Sequence, residues 1–132
     1  MTTYGLLDTS AIIAAEHRPI VNATELPDEF FLSVVTLAEL QVGIFAARDT
    51  ETRARRMATL DSVAGFEVLP ADADAATEWS RLRYRLAESG RRINVNDLWI
   101  ASIALVHGVP VISRDADFAV LEGLGGPAVI RL

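Results

Sequence analysis

The sequence predicts an α/β fold, a three-layer α/β/α sandwich around a mainly parallel sheet of four to five strands. Short apolar runs, which are the candidate strands, alternate along the chain with longer helical segments. These runs are continuously apolar, which is typical of strands buried on both faces of a sheet. A chain of 132 residues can form one compact core but not two, so we expect a single domain over residues 1–132.

The predicted elements follow one another with short connections. The candidate strands are Tyr4–Leu7, Phe30–Val35, Phe66–Leu69, Val109–Ile112 and Ala128–Ile130. The candidate helices are Ala11–Glu16, Leu37–Ala47, Asp49–Ala64, Asp72–Ser89, Leu98–His107 and a short helix at Asp117–Leu121. Gly65, Gly90 and Gly108 are expected to end three of these helices. The helix before Gly108 is apolar nearly all round, so it should be deeply buried.

Composition excludes several classes of function. Eighteen acidic and twelve basic residues give a net charge of −6, which argues against broad electrostatic wrapping of nucleic acid. Every basic residue is arginine, so lysine chemistry and a P-loop are excluded, and the lack of cysteine excludes disulfides and zinc-thiolate sites. Neither a secretory signal nor a membrane-spanning run of ~20 apolar residues is present, so a cytoplasmic protein is expected.

Acidic residues interrupt apolar sequence at four places. Asp8 directly follows the first strand, Glu39 lies in the first turn of the helix after the second strand, and Asp115 and Asp117 follow the fourth strand. Strand ends and the starts of the following helices share one edge of a parallel sheet, so these acids should converge there. Asp97 joins them if the buried helix begins at the same edge.

Each acid also has a purely structural interpretation. Asp8 is a candidate turn residue, Thr36–Glu39 has the pattern of a capping box, and Asp97 is a candidate N-cap. Asp115 or Asp117 could cap the short helix. Serine, threonine or asparagine would serve equally well as caps, so capping does not explain why four such positions should all carry carboxylates.

Converging carboxylates need a counter-charge. Two unit charges ~4–5 Å apart at an effective dielectric of ~20 repel by roughly 3–4 kcal/mol. Oxygen ligands without cysteine or histidine suit the hard cations Mg²⁺ or Mn²⁺. A cation held in this way can activate a water for in-line attack on a phosphodiester. The residues therefore suggest a metal-dependent phosphodiester hydrolase.

Four segments resemble the motifs of the PIN-domain family: Leu6–Ile12 (LLDTSAI), Ser33–Gly43 (SVVTLAELQVG), Asn96–Ser102 (NDLWIAS) and Val111–Phe118 (VISRDADF). Their order and spacing match over essentially the whole chain, and the length resembles that of VapC toxins from bacterial VapBC toxin–antitoxin pairs. The resemblance implies a Mg²⁺- or Mn²⁺-dependent endoribonuclease. It also implies a VapB-type antitoxin as partner and a homodimer.

The resemblance also assigns the metal-binding acids. They carry over to Asp8, Glu39 and Asp97, with Asp8 and Asp97 holding the principal cation and Glu39 positioning the attacking water or acting as base. For the fourth acid the chain offers both Asp115 and Asp117, where relatives often have asparagine followed later by Asp-Phe. We expect Asp115 to be the ligand and Asp117 to support it or to replace it.

Polar side chains and arginines complete the expected site. The family's polar helper after the first acid maps to Thr9 or Ser10, and Ser113 is expected to contact the acids or the scissile phosphate. Arg91 and Arg92 lie close in sequence to the third acid and are candidates for RNA phosphate contacts. The arginines within helices, such as Arg81 after Glu78 and Arg85 before Glu88, are interpreted mainly as a solvated face with i,i+3 pairs.

A non-catalytic alternative is a PIN-like module that binds RNA or protein without cutting it. A degenerate module would be expected to lose one or more of the acids, whereas this chain retains them all. Serines and threonines lack a neighbouring histidine, which argues against a hydrolase triad. The sequence therefore favours catalysis.

Overall fold

Five parallel strands form the central sheet of the computed structural model, which describes residues 1–17 and 26–132. The strands are β1 (Tyr4–Leu7), β2 (Glu29–Ser33), β3 (Glu67–Leu69), β4 (Val111–Ser113) and β5 (Val129–Arg131). The helices are α1 (Thr9–His17), α2 (Val34–Ala46), α3 (Thr50–Ser62), α4 (Ala73–Ser89), α5 (Val95–His107) and a short 3₁₀ helix (Asp117–Leu121).

Strand β1 lies at the centre of the sheet, whose order is β3-β2-β1-β4-β5. Leu7, the last residue of β1, is in register with Leu32 of β2 and Ile112 of β4. The chain leaves β1 toward β2 on one side and returns later to β4 on the other. This arrangement confirms the predicted α/β fold with a parallel sheet, and it opens a crevice beyond the carboxyl ends of β1 and β4.

Alternate residues of the strands face two separate apolar cores. Leu6 and Val111 pack with residues of α4 and α5, while Leu7 and Ile112 pack with residues of α1, α2 and α3. Helices therefore cover both faces of the sheet, as the continuously apolar strands predicted. The buried part of α5 comprises Leu98, Ile100, Ala101, Ser102, Ile103 and Ala104, which confirms its expected depth.

Helices α2 and α5 each begin three residues earlier than predicted because polar side chains cap them. Ser33 precedes α2 and accepts a bond from the backbone N of Thr36 at 3.0 Å, so Val34 and Val35 are helical despite their preference for strands. The capping-box interpretation of Thr36–Glu39 was therefore wrong. Asn94 caps α5, which places the acid of the third motif inside the first turn and not at the N-cap.

Glycine ends two of the three helices for which this was predicted. Gly90 and Gly108 follow α4 and α5 with φ of 68° and 63°, a backbone region that suits glycine. Helix α3 instead ends at Ser62, before Gly65. None of the helices in residues 1–17 and 26–132 is long and apolar enough to cross a membrane.

Candidate metal centre

Asp8 lies at the crevice between the carboxyl ends of β1 and β4, with only 3% of its surface exposed. Its Oδ1 accepts bonds from the backbone N of Ala11 at 2.9 Å and from the hydroxyl of Ser10 at 2.8 Å. Its Oδ2 accepts a bond from the hydroxyl of Ser113 at 2.5 Å. The carboxylate caps α1 and also faces the end of β4, so its structural and functional interpretations are compatible.

Opposing influences act on the Asp8 carboxyl. Burial raises its pKa, since the charged form is poorly solvated, and hydrogen bonds from Ser113, the Ala11 backbone and Ser10 lower it in part. The carboxylate of Asp115 raises it further. The net effect is a raised pKa for Asp8, which means that its surroundings lack sufficient positive charge to stabilise the anion fully.

The residues after β4 are tied to this carboxylate by serine hydroxyls. Ser113 Oγ accepts a bond from the backbone N of Asp115 at 3.1 Å, in addition to donating to Asp8. Ser10 Oγ likewise accepts a bond from the backbone N of Arg114 at 3.1 Å. The two serines therefore fix the turn that carries Asp115 against the first acid.

Glu39 is held by the residue that follows the first acid. The hydroxyl of Thr9 donates to Glu39 Oε1 at 2.7 Å and also lies 3.3 Å from Thr36 Oγ1. Thr36 is fully buried and contacts Ser33 through its hydroxyl. As a candidate cap, Thr36 was assigned no role in the site. Its position in the sequence between the apolar residues Val35 and Leu37 was the signal that could have identified a buried hydroxyl in contact with Thr9.

Asp97 lies in the first turn of α5 and is half-buried. Its pKa is raised to about 6, first by burial and then by repulsion from four other acids. In decreasing order of effect these acids are Asp117, Asp8, Glu39 and Asp115. Each of these four acids therefore lies close enough to Asp97 to act on it electrostatically.

The acids nevertheless do not form a ready-made chelating group. Across residues 1–17 and 26–132, no three histidine or carboxylate side chains stand in an arrangement that could hold a metal ion. The donor chemistry still fits a hard cation, because all five acids offer oxygen and a divalent cation would relieve the repulsion that raises the pKa of Asp97. Asp115 and Asp117 are both exposed, so packing does not confine their side chains to one rotamer.

The two arginines predicted to contact RNA differ in their surroundings. Arg91 donates through Nη1 to the carbonyl oxygens of Val120 at 3.2 Å and Glu122 at 2.8 Å. Both arginines line a surface cavity of about 530 Å³ together with Arg83, but only Arg92 is exposed without a hydrogen bond to the backbone among the described contacts. Arg91 therefore has a structural role that the sequence did not reveal, whereas the position of Arg92 suits contact with an anion.

The arginines of α4 also differ from the expected solvated face. The predicted pair of Arg81 with Glu78 is present at 2.5 Å, but Arg81 also reaches the carbonyl oxygen of Gly125 at 3.3 Å. Arg85 donates to the carbonyl oxygen of Leu124 at 2.8 Å. Backbone acceptors carry no side-chain signature, so no sequence pattern could have indicated these contacts.

Comparison with known proteins gives a consistent result. Residues 5–124 match the PIN domain model. Over 97% of its length, the chain is 52% identical to Ribonuclease VapC5 of Mycobacterium tuberculosis, covering 95% of that protein. It is 36% identical to Ribonuclease VapC4 of the same organism, over 88% of this chain and 89% of that one. The VapBC-5 crystal structure from M. tuberculosis matches with a TM-score of 0.90 and 49% identity, covering 98% of this chain and 99% of that chain. The chain therefore belongs to the PIN-domain family, and within it to the VapC ribonucleases.

Proposed function

We propose that this VapC ribonuclease toxin hydrolyses RNA phosphodiester bonds with a Mg²⁺ ion, or Mn²⁺ in its place, at the edge where its acids converge. The observation that carries the proposal is a set of contacts at the carboxyl ends of β1 and β4: Ser113 joins Asp8 to the turn that carries Asp115, and Thr9 holds Glu39 of α2 beside them. Asp97 of α5 lies within electrostatic reach of these acids. A site of this charge at the topological switch point of a parallel sheet is where a divalent cation and a phosphate would bind.

The residues that would hold the cation are Asp8, Asp97, Glu39 and Asp115. When bound, such an ion lowers the pKa of a water ligand and stabilises the departing oxygen. Asp8 is suited to bind first, since three hydrogen bonds fix the direction of its carboxylate. Asp97 supplies a second carboxylate from the rigid first turn of α5.

Glu39 is the proposed base, and the remaining polar residues hold the acids in position. Thr9 orients Glu39 by bonding Oε1, and we assign the other oxygen, Oε2, to accept the proton of the attacking water. Ser10 and Ser113 fix the first acid and the turn after β4. We assign Asp117 to support Asp115 or to replace it, since its effect on Asp97 exceeds those of the other acids.

The proposed partners are the RNA substrate, a VapB-type antitoxin and a second copy of the chain. Similar structures are those of VapBC-5 from M. tuberculosis and of VapBC2 from Rickettsia felis bound to a DNA fragment from their promoter. Val42 and Phe45 on α2 are 63% and 84% exposed, so this chain presents apolar side chains that a protein partner could cover. Since the substrate is cellular RNA, we propose the cytoplasm as the place of action.

Cleavage of single-stranded RNA tests this function directly. The purified protein should cut RNA with Mg²⁺ and fail to do so in excess EDTA. Attack by water with release of the 3′ oxygen leaves 5′-phosphate and 3′-hydroxyl ends, whereas attack by the 2′-hydroxyl would leave a cyclic phosphate. Asp8→Asn should abolish cleavage, while Asp61→Asn, an equal change of charge on the exposed side of α3, should not. Undiminished cleavage by Asp8→Asn in EDTA would refute the proposal, and RNA binding without cleavage would favour a non-catalytic module.

A further inference from the structure

A cleft of about 640 Å³ lies between the 3₁₀ helix and β5, next to the acid cluster. Its lining includes Asp115, Phe118, Leu121, Glu122 and Arg131. We propose that this cleft, named here the Asp115 cleft, binds one unpaired nucleobase of the RNA, adjacent to the phosphate that is cut. The proposal rests on the proposed ribonuclease function and adds a binding site for the substrate's base.

Position is the first argument. Asp115 lines the cleft and also acts electrostatically on Asp8 and Asp97, so the cleft opens directly beside the proposed metal centre. The backbone N of Asp115 is bonded to Ser113, whose hydroxyl donates to Asp8. An RNA strand with a phosphate at the acids would therefore place a neighbouring nucleoside at the mouth of the cleft.

The chemistry of the lining suits a neutral aromatic group. Phe118 and Leu121 are almost fully buried and form an apolar floor, with Ala119, Ala128 and Val129 also contributing apolar surface. Two carboxylates and a single guanidinium line the cleft, so an anion such as a phosphate would be poorly accommodated. A base offers apolar faces for the floor and polar edges for the carboxylates and the peptide groups of the glycines. The cleft volume falls within the range of about 300–1,000 Å³ for small-molecule sites.

The wall of the cleft is fixed before any RNA binds. Arg81, Arg85 and Arg91 donate to four carbonyl oxygens of the segment 120–125, at distances of 2.8–3.3 Å. Gly125 has a φ of 80°, and a Cβ added there would lie 2.6 Å from Arg85 Nη1. The segment is therefore held closely against α4. A preformed cleft loses little conformational entropy when a ligand enters it.

Filling the cleft tests the proposal. Ala119 and Ala128 are exposed and line it, whereas Ala76 is exposed on α4 outside it, so Ala76→Trp serves as the matched control for Ala119→Trp and Ala128→Trp. The substrates are an oligonucleotide with one mapped cleavage site and versions with an abasic residue on either side of that site. Removal of one of the two bases should lower the wild-type kcat/KM about 5-fold, the lower end of the range for base stacking on aromatic side chains, because Phe118 is only slightly exposed.

Ala119→Trp and Ala128→Trp should show a similar decrease in kcat/KM on the intact substrate. The abasic residue should then cause no further decrease in these variants. Thermal melting would verify that they fold. The proposal would be overturned if both variants cleaved the intact substrate with the wild-type kcat/KM, or if neither abasic change lowered the kcat/KM of the wild type. Loss of self-association or of antitoxin binding without an effect on cleavage would overturn it too, by assigning the cleft to a protein partner.

A binding measurement separates this proposal from the proposed function. In EDTA, an RNA carrying 2-aminopurine beside the cleavage site should change its fluorescence on binding to the wild type and to Ala76→Trp, but not to Ala128→Trp. Because EDTA prevents metal-dependent cleavage, this result would support the base site even if the protein failed to cut RNA when Mg²⁺ was added. Equal fluorescence changes for all three proteins would contradict it.

Discussion

The hydroxyl of Ser113 donates to Asp8 Oδ2 across the junction of β4 and β1, with the two oxygens 2.5 Å apart. The bond joins residues separated by 105 positions in the chain. Asp8 would otherwise be a buried carboxylate held only by its own helix start, at Ser10 and Ala11. The bond therefore links the first acid to the turn that carries Asp115. Because β1 and β4 are paired in the sheet, it fixes the first and fourth motifs relative to each other.

Ser113→Ala should lower kcat/KM for RNA cleavage about 10- to 100-fold, the effect expected from losing a hydrogen bond to a charged group. The loss should also raise the pKa of Asp8, since Ser113 makes the largest contribution toward lowering it. Ser102→Ala is the matched control, because Ser102 is equally buried but donates to the Leu98 carbonyl within α5. Equal losses of activity in the two variants, measured at equal folded fractions, would show that the bond from Ser113 to Asp8 has no specific effect on cleavage.

Asp97→Asn should abolish cleavage and make the metal-free protein more stable at neutral pH. The carboxylate is repelled by four other acids, so removing its charge relieves that repulsion in the folded state. The measurement is urea unfolding in EDTA at pH 7.5, with Asp61→Asn as a control for an acid on α3. A decrease in the free energy of unfolding for Asp97→Asn alone would contradict the account.

Metal-free stability should depend on pH in a defined direction. The pKa of Asp97 is about 6 in the folded protein against 3.8 in the unfolded chain, so the folded state binds more protons between these values. Its contribution to stability therefore falls as pH rises from about 4 to about 6 and stays constant above that range. The difference between wild type and Asp97→Asn in urea unfolding, measured across this range in EDTA, isolates the effect. A difference that does not vary with pH would show that Asp97 titrates normally.

Mg²⁺ should reverse this pH effect. Protons and the cation compete for the same carboxylates, so the apparent affinity should weaken as pH falls below about 6, the folded pKa of Asp97. The increase in melting temperature on adding excess Mg²⁺ should consequently be large at pH 7.5 and small at pH 5. The result that counts against the prediction is an equal increase at both pH values, or one that persists in Asp8→Asn.

Thr9→Val should lower kcat about 10-fold with little change in KM, because it removes a hydrogen bond of ordinary strength that orients Glu39. Thr9→Ser keeps the hydroxyl and should retain most of the activity. Steady-state kinetics with a single-site oligonucleotide separates kcat from KM. If the serine variant is as impaired as the valine variant, packing of the methyl group and not the bond to Glu39 explains the loss.

Arg91 and Arg92 should give opposite results when changed to alanine. Arg91→Ala loses two bonds to the backbone and should lower the free energy of unfolding by about 1–2 kcal/mol, with the salt dependence of RNA binding unchanged. Arg92→Ala should reduce the slope of log Kd against log salt by about one phosphate contact, with stability unchanged. Identical behaviour of the two variants in both measurements would reject this division of roles.

The sequence allowed the sheet and the location of the acids to be predicted because both depend on adjacency along the chain. A carboxylate directly after a buried strand must lie at the edge where that strand ends, as Asp8 does. Helix starts were less predictable, because Ser33 and Asn94 compete with other polar residues for the capping role, and only packing decides between them. Arginine contacts such as that of Arg85 were unpredictable, since they end on backbone carbonyl oxygens of a distant segment.

Diffraction from crystals soaked in Mn²⁺ tests the central claim most directly, since anomalous scattering identifies the ion and its ligands together. The account predicts a peak within coordination distance of the carboxylates of Asp8 and Asp97, with Glu39 and Asp115 nearby, and no peak there in crystals of Asp8→Asn. A peak at another part of the molecule, or one at the same place that survives loss of the Asp8 charge, would contradict the proposed metal centre.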